Sequence, residues 1–321
     1  AFGLFASLLI GTIFGTLGEK TGVVIFTTIA GYAKSATGAA LGVSIAYALK
    51  APTLVLFSAA TVGIAGNELG GPVGALVATI IAAELGKIVS KETPVDILVT
   101  PGVTIISGIL AAQFVGPGVS AFMTAFGNLV KTATVMQPLF MGILVSALIG
   151  IALTLPISSA AICIMLSLDG LAGGAATAGC CAQMVGFAVM SFRENGVGGL
   201  VSQGLGTSML QMPNIIRNPR TWIPPTLASA ITGPIATCLF HLEMNGPAVS
   251  SGMGTCGLVG QIGVYTGWLN DIAAGTKAAI LPMDWVGLIL ICFVLPAVLT
   301  LLFAFFLRKW GWIKDGDLKL Q

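Results

Sequence analysis

The sequence predicts an all-α polytopic membrane protein with about ten transmembrane spans, in two inverted repeats that contain broken or re-entrant helices. Three observations predict it. Of 321 residues, 56% are hydrophobic and only 8% charged, with a mean hydropathy of +1.00. The apolar residues come in runs near the roughly 20 residues that cross a bilayer. Short motifs recur in the same order in the two halves of the chain.

The composition excludes a soluble fold. Soluble domains carry about 25% charged residues, and no fold of this size hides so much apolar side chain from water. A net charge of +2 without a basic face gives nucleic acid nothing to bind. The six cysteines form no C-x-x-C, so they read as small packing residues and not as a zinc site or disulfide framework. There is no P-loop, G-x-S-x-G or H-E-x-x-H. No catalytic residue, metal or cofactor is expected. No cleavable signal peptide is evident, and the chain opens within an apolar segment at Ala1.

Along the chain, clear spans are expected at Phe2–Leu17, Gly71–Val89, Ile97–Val115, Leu139–Leu155, Leu227–Phe240 and Trp285–Leu307. Apolar stretches interrupted by Gly, Pro, Asn or Asp lie at 22–50, 53–66, 116–130, 159–191, 196–212 and 246–268. Such interruptions read as broken or re-entrant helices. The glycines of "GTCGLVGQIG", at positions 254, 257, 260 and 263, would form a packing stripe on one helix.

The repeats define the organisation. "GPVGALVA" from Gly71 matches "NGVGGLVS" from Asn195, and Pro101 matches Pro225. "GPGVSAFMTAFG" from Gly116 matches "GPAVSSGMGTCG" from Gly246, and "LFASLLIGTIF" from Leu4 matches "ILVSALIGIAL" from Ile143. Residues 1–135 are read as the first repeat, 136–307 as the second and 308–321 as a cytoplasmic tail. The loop "IIRNPRTW" carries two arginines and no acid, whereas its counterpart "ELGKIVSKETPVD" is mixed in charge. Equivalent loops on opposite faces imply inverted repeats of five spans each. The basic tail then places both termini in the cytoplasm.

Charge inside an apolar tract marks candidate sites, because an intramembrane carboxylate persists when it serves a solute, a cation or a proton. "GNELGGP" holds Asn67 and Glu68; "FRENGVGG" holds Glu194 and Asn195 beside Arg193. The glycines allow close backbone approach or a broken helix. The plainer reading is a surface salt bridge of Arg193 with Glu194 and a solvated helix end at Glu68. "FHLEMNGP" groups the only histidine, His241, with Glu243 and Asn245. Amides at Gln137, Gln183, Gln203, Gln211 and Gln261 suit hydroxylated solutes but equally tie helices together.

"GLFASLLIGTIFGTLG", the Gly-Asn-Glu and Gly-Pro-Val elements and "NGPAVSSGMGTCGLVGQIG" resemble the EIIC-like membrane proteins of the phosphotransferase system, in the branch that contains the perfringolysin O regulator. The resemblance implies a dimeric sugar permease of ten spans with re-entrant hairpins, which holds the sugar while a separate phosphocarrier phosphorylates it. It also implies a Glu and a His at the sugar, with Glu68 or Glu194 and His241 as counterparts. The Gly-Ile-Thr-Glu signature of sugar-binding members is absent; "GNEL" and "FREN" stand in its place. The expected function is alternating-access transport of a small polar solute, a sugar or related metabolite, by a multi-pass plasma-membrane homodimer. The alternatives are a solute-sensing regulator and a proton- or cation-coupled carrier.

Overall fold

The computed structural model describes residue 3 and residues 5–134, 136–155 and 159–320. All regular structure among them is helical. The chain forms two units, residues 1–125 and 126–321. Helices Thr53–Val89, Asp96–Phe122, Gly170–Met190 and Pro282–Lys309 are long and apolar enough to cross a membrane; Ala6–Gly15, Thr37–Ala48 and Pro138–Thr154 are shorter apolar helices.

In the first unit a π-helical turn at Phe5–Leu9 leads into α1 (Ile10–Thr21), then α2 (Val24–Ser35), α3 (Thr37–Ala48), α4 (Thr53–Val89) and the part up to residue 125 of α5 (Asp96–Thr134). α4 is not straight. Gly70 (φ −147°, ψ 18°) and Gly71 (φ 61°, ψ −160°) leave helical geometry at its centre. Pro72 restarts the helix at a position where its missing N–H is not needed. A Cβ built on Gly66 would lie 2.7 Å from Ala75 Cα, and one on Gly86 would lie 3.0 Å from Val55 Cγ2. In a straight helix residues 55 and 86 would be about 46 Å apart. Both pairs are centred on the Gly70–Gly71 bond, so the two arms fold back as an antiparallel helical hairpin. Gly38 and Gly42 of α3 press onto backbone at Ala59, Gly63 and Ile64 of the first arm. Such small-residue contacts replace the hydrophobic driving force that lipid cannot supply.

The second unit is built around one helix. After α6 (Pro138–Thr154) and α7 (Ser159–Met165), α8 (Gly170–Met190) is buried along nearly its whole length. The stretch 159–191 is interrupted once, at 166–169 before Gly170, and from there 170–190 is one continuous helix despite its glycines. Its glycines and alanines serve packing: Gly179 meets the Ser146 carbonyl, Gly174 the Leu242 carbonyl, and Gly186 lies against Pro225 and Thr300. α9 (Phe192–Val201) breaks at Gly196 (φ 58°, ψ −157°). Gln203 Nε2, beyond the break, donates to Ser191 Oγ before it at 2.8 Å. The chain therefore folds back here too. Gly71 and Gly196 share a backbone conformation essentially confined to glycine.

Beyond lie α10 (Met212–Arg217), α11 (Ile223–Pro234) with a π-turn at Ile235–Leu239, and a non-helical segment, 240–247. α12 (Ala248–Ser251) and α13 (Val259–Ala273) follow. α14 (Pro282–Ile289) continues through the π-turn Leu290–Val294 into α15 (Leu295–Lys309). Two sequence expectations fail here. Gly254 and Gly257 have positive φ and Leu258 is left-handed, so the glycine stripe is split and the helix begins only at Val259. The stretch from Gly116, expected to be interrupted, stays helical through Pro117, whereas its sequence match from Gly246 is broken into the one-turn helix α12, turns and a short 3-10 helix.

Candidate functional site

The non-helical segment that follows α11 brings His241, Glu243 and Asn245 to one cavity. Leu242 (4% exposed) and Met244 (0%) point into the core, and the Met244 N–H donates to the Gly170 carbonyl at 3.0 Å. Side chains of a near-extended chain alternate between faces. The intervening His241 and Glu243 are exposed and Asn245 is partly so, which puts all three on one face. His241 itself has φ 44°, a left-handed conformation that turns the chain out of the π-turn.

That face borders a cavity of ≈ 420 Å³, lined also by Phe240, Trp268, Asp271, Lys277, Met283 and Asp284. Asn245 is its organiser. Its Nδ2 donates to Glu243 Oε2 at 3.1 Å and to Asp271 Oδ1 and Oδ2 at 3.1 and 3.0 Å. Its Oδ1 accepts from the Gly170 N–H at 3.1 Å, so α8 fixes the amide's orientation. Lys277 Nζ, also at the cavity, pairs with Asp284 Oδ2 at 2.9 Å and lies 5.9 Å from the Trp268 ring centroid. Asp284 also caps α14 by accepting from the Leu281 N–H at 2.8 Å. Trp268 stacks edge-on against Trp285, with ring centroids 5.3 Å apart. Aromatic and apolar side chains beside carboxylate groups suit a hydroxylated solute, with apolar surface to cover and acceptors for its O–H donors.

The family model for the EIIC proteins of the phosphotransferase system matches residues 1–320. The chain belongs to that family. No curated protein and no solved structure gives a significant match. EIIC domains are permease components that are not catalytic on their own; membership and the apolar helices make the chain a multi-pass plasma-membrane protein, and the family implies a sugar solute and partner phosphocarriers.

The other four sequence-selected residues of this EIIC chain lie elsewhere. Asn67 and Glu68 end the first arm of the α4 hairpin, Glu68 exposed. Glu194 and Asn195 sit at the α9 break and hold the chain's own tail. Glu194 Oε2 accepts from the Leu318 N–H at 2.8 Å, and Oε1 pairs with Arg308 at 3.3 Å. Asn195 donates to the Leu318 carbonyl and accepts from the Leu320 N–H, both at 2.8 Å. Arg308, rather than the neighbouring Arg193, is the partner of Glu194.

Among the polar residues in apolar runs, Gln183 is fully buried and ties helices: it accepts from Trp222 Nε1 at 3.0 Å and donates to Thr226 at 3.1 Å. Gln203, Gln211 and Asn214 form a chain of amides that ends on the Leu318 and Lys319 carbonyls. Sequence reasoning missed Trp268, Asp271, Lys277 and Asp284. The signal was present: Trp268 and Asp271 are three apart on a helix, hence on one face, and three charges cluster between two apolar helices.

Proposed function

We propose that this EIIC protein carries a hexose-sized polar solute by alternating access, and that the His241–Glu243–Asn245 cavity is where the solute binds. The cavity carries the reading: its size lies in the range of small-molecule sites, and Asp271 and Glu243 offer acceptors beside Trp268. The solute is placed here and not at Glu194 and Asn195, whose hydrogen-bonding groups are engaged by the tail. Asn67 and Glu68 are then features of the α4 hairpin tip.

The wider architecture belongs to the same proposal: ten spans in two inverted repeats, cytoplasmic termini, a homodimer, and separate phosphocarriers for any phosphoryl transfer. Gly71 and Gly196 support the repeat, since each unit folds one helix back at a glycine of nearly the same φ and ψ, one residue out of the register of the sequence match. The test is uptake of radiolabelled hexoses by proteoliposomes. Wild-type protein should accumulate at least one, and Asn245→Ala should lower the rate at least about tenfold, the size expected for lost hydrogen bonds to charged groups. Equal uptake by the two proteins would remove the cavity from the transport path.

A further inference from the structure

The charges around the cavity do not balance, and the imbalance points to the class of solute. Three carboxylates line it, Glu243, Asp271 and Asp284, against one ammonium, Lys277. Lys277 is already paired with Asp284. Among the described residues, neither Glu243 nor Asp271 has a lysine or arginine partner. They are instead bridged by one neutral donor: the same Asn245 nitrogen lies 3.1 Å from Glu243 Oε2 and 3.0 Å from Asp271 Oδ2. Two like charges held that close attract a cation.

Resting on the reading of this cavity as the solute site, we propose that its preferred solute is a polyhydroxylated primary amine, an amino sugar, whose ammonium sits between Glu243 and Asp271. An ammonium carries three N–H donors and no acceptor, which complements two carboxylates that otherwise share a single amide. The cavity's own lysine shows the same chemistry in miniature, because Lys277 places its ammonium near both the Asp284 carboxylate and the Trp268 ring. A divalent metal is a poorer occupant: no group of three or more His, Cys, Asp or Glu side chains with metal-binding geometry occurs among the described residues. The same field repels a sugar acid. Glu243 and Asp271 are thus specificity-determining residues, while Asn245 orients them.

The test is calorimetric titration of the purified full-length chain with glucosamine, glucose and glucuronate. Glucosamine should bind at least about tenfold tighter than glucose, as expected for one net ionic interaction of about 1.4 kcal/mol or more, and glucuronate should bind more weakly than either. Glu243→Gln and Asp271→Asn should each erase the preference for glucosamine over glucose, read as the ratio of the two affinities in each variant. Met283→Trp, which fills the mouth from an exposed position, should block all three. If glucosamine and glucose bind equally and Met283→Trp blocks both, the charge inference is overturned and the cavity stands as the site. If sugars bind and Met283→Trp has no effect, the cavity itself is wrong.

Discussion

Asn245 Nδ2 lies within hydrogen-bonding distance of both carboxylate oxygens of Asp271, at 3.1 and 3.0 Å, across 26 residues of sequence. This contact joins the non-helical segment to the end of α13 and gives the cavity its polar wall. Asn245→Asp should therefore be worse than Asn245→Ala, since it adds a third carboxylate to Glu243 and Asp271 and removes the donor between them. We expect hexose binding to be lost in both variants. The Asp variant should melt lower, by differential scanning fluorimetry, because like charges directly opposed destabilise.

The hairpin glycines give a second prediction. A Cβ at Gly71 or Gly196 would meet nothing within 4 Å, so any cost is backbone strain alone. Gly71→Ala and Gly196→Ala should each destabilise by about 1–3 kcal/mol. Gly198, also with open space for a Cβ but with no positive φ, is the control. Gly198→Ala should be neutral or slightly stabilising, as read from thermal melts of the three proteins.

The C-terminal tail is a structural part of the second unit. Ile313 (2% exposed) and Leu318 (0%) are buried with Phe187, Met190 and Leu307. Leu318→Ala should cost about 2–5 kcal/mol. Asn195→Ala, which releases both bonds to the tail backbone, should make residues 310–320 cleavable by limited proteolysis under conditions that leave the wild type intact.

A buried tie supplies the fourth test. Gln183→Leu deprives the Trp222 indole N–H of its acceptor and Thr226 of its donor. The expected loss is about 1–3 kcal/mol of stability, with hexose affinity unchanged because Gln183 does not line the cavity. A drop in affinity without a drop in stability would contradict this assignment.

Membrane residence was legible because composition alone decides it, and the Gly-Gly-Pro of residues 70–72 announced a break. Nothing in the sequence said that α4 would fold back fully; that depends on Gly66 meeting Ala75 and on Val55 meeting Gly86. The His241, Glu243 and Asn245 constellation was readable from its spacing, but its partners were not. Asp271, Lys277 and Asp284 join it through the packing of α13 and α14, which local sequence does not encode. Glu194 shows the reverse case. A carboxylate beside glycines in an apolar tract reads as a solute ligand, and only the folded chain reveals that a backbone N–H from Leu318, 124 residues away, meets it.

The central claim, that the solute occupies the cavity beside Asn245, is tested most directly by site-specific protection. Cys238 is the exposed free cysteine among six whose other members are buried, so a Cys238→Ser, Met283→Cys protein presents one reactive thiol at the cavity mouth. The rate of maleimide labelling at that thiol would be measured with and without saturating amounts of the hexose that proteoliposomes accumulate. We predict that the hexose slows labelling several-fold and that Asn245→Ala abolishes the protection. Labelling at the same rate with and without hexose, in protein that still transports it, would contradict the account.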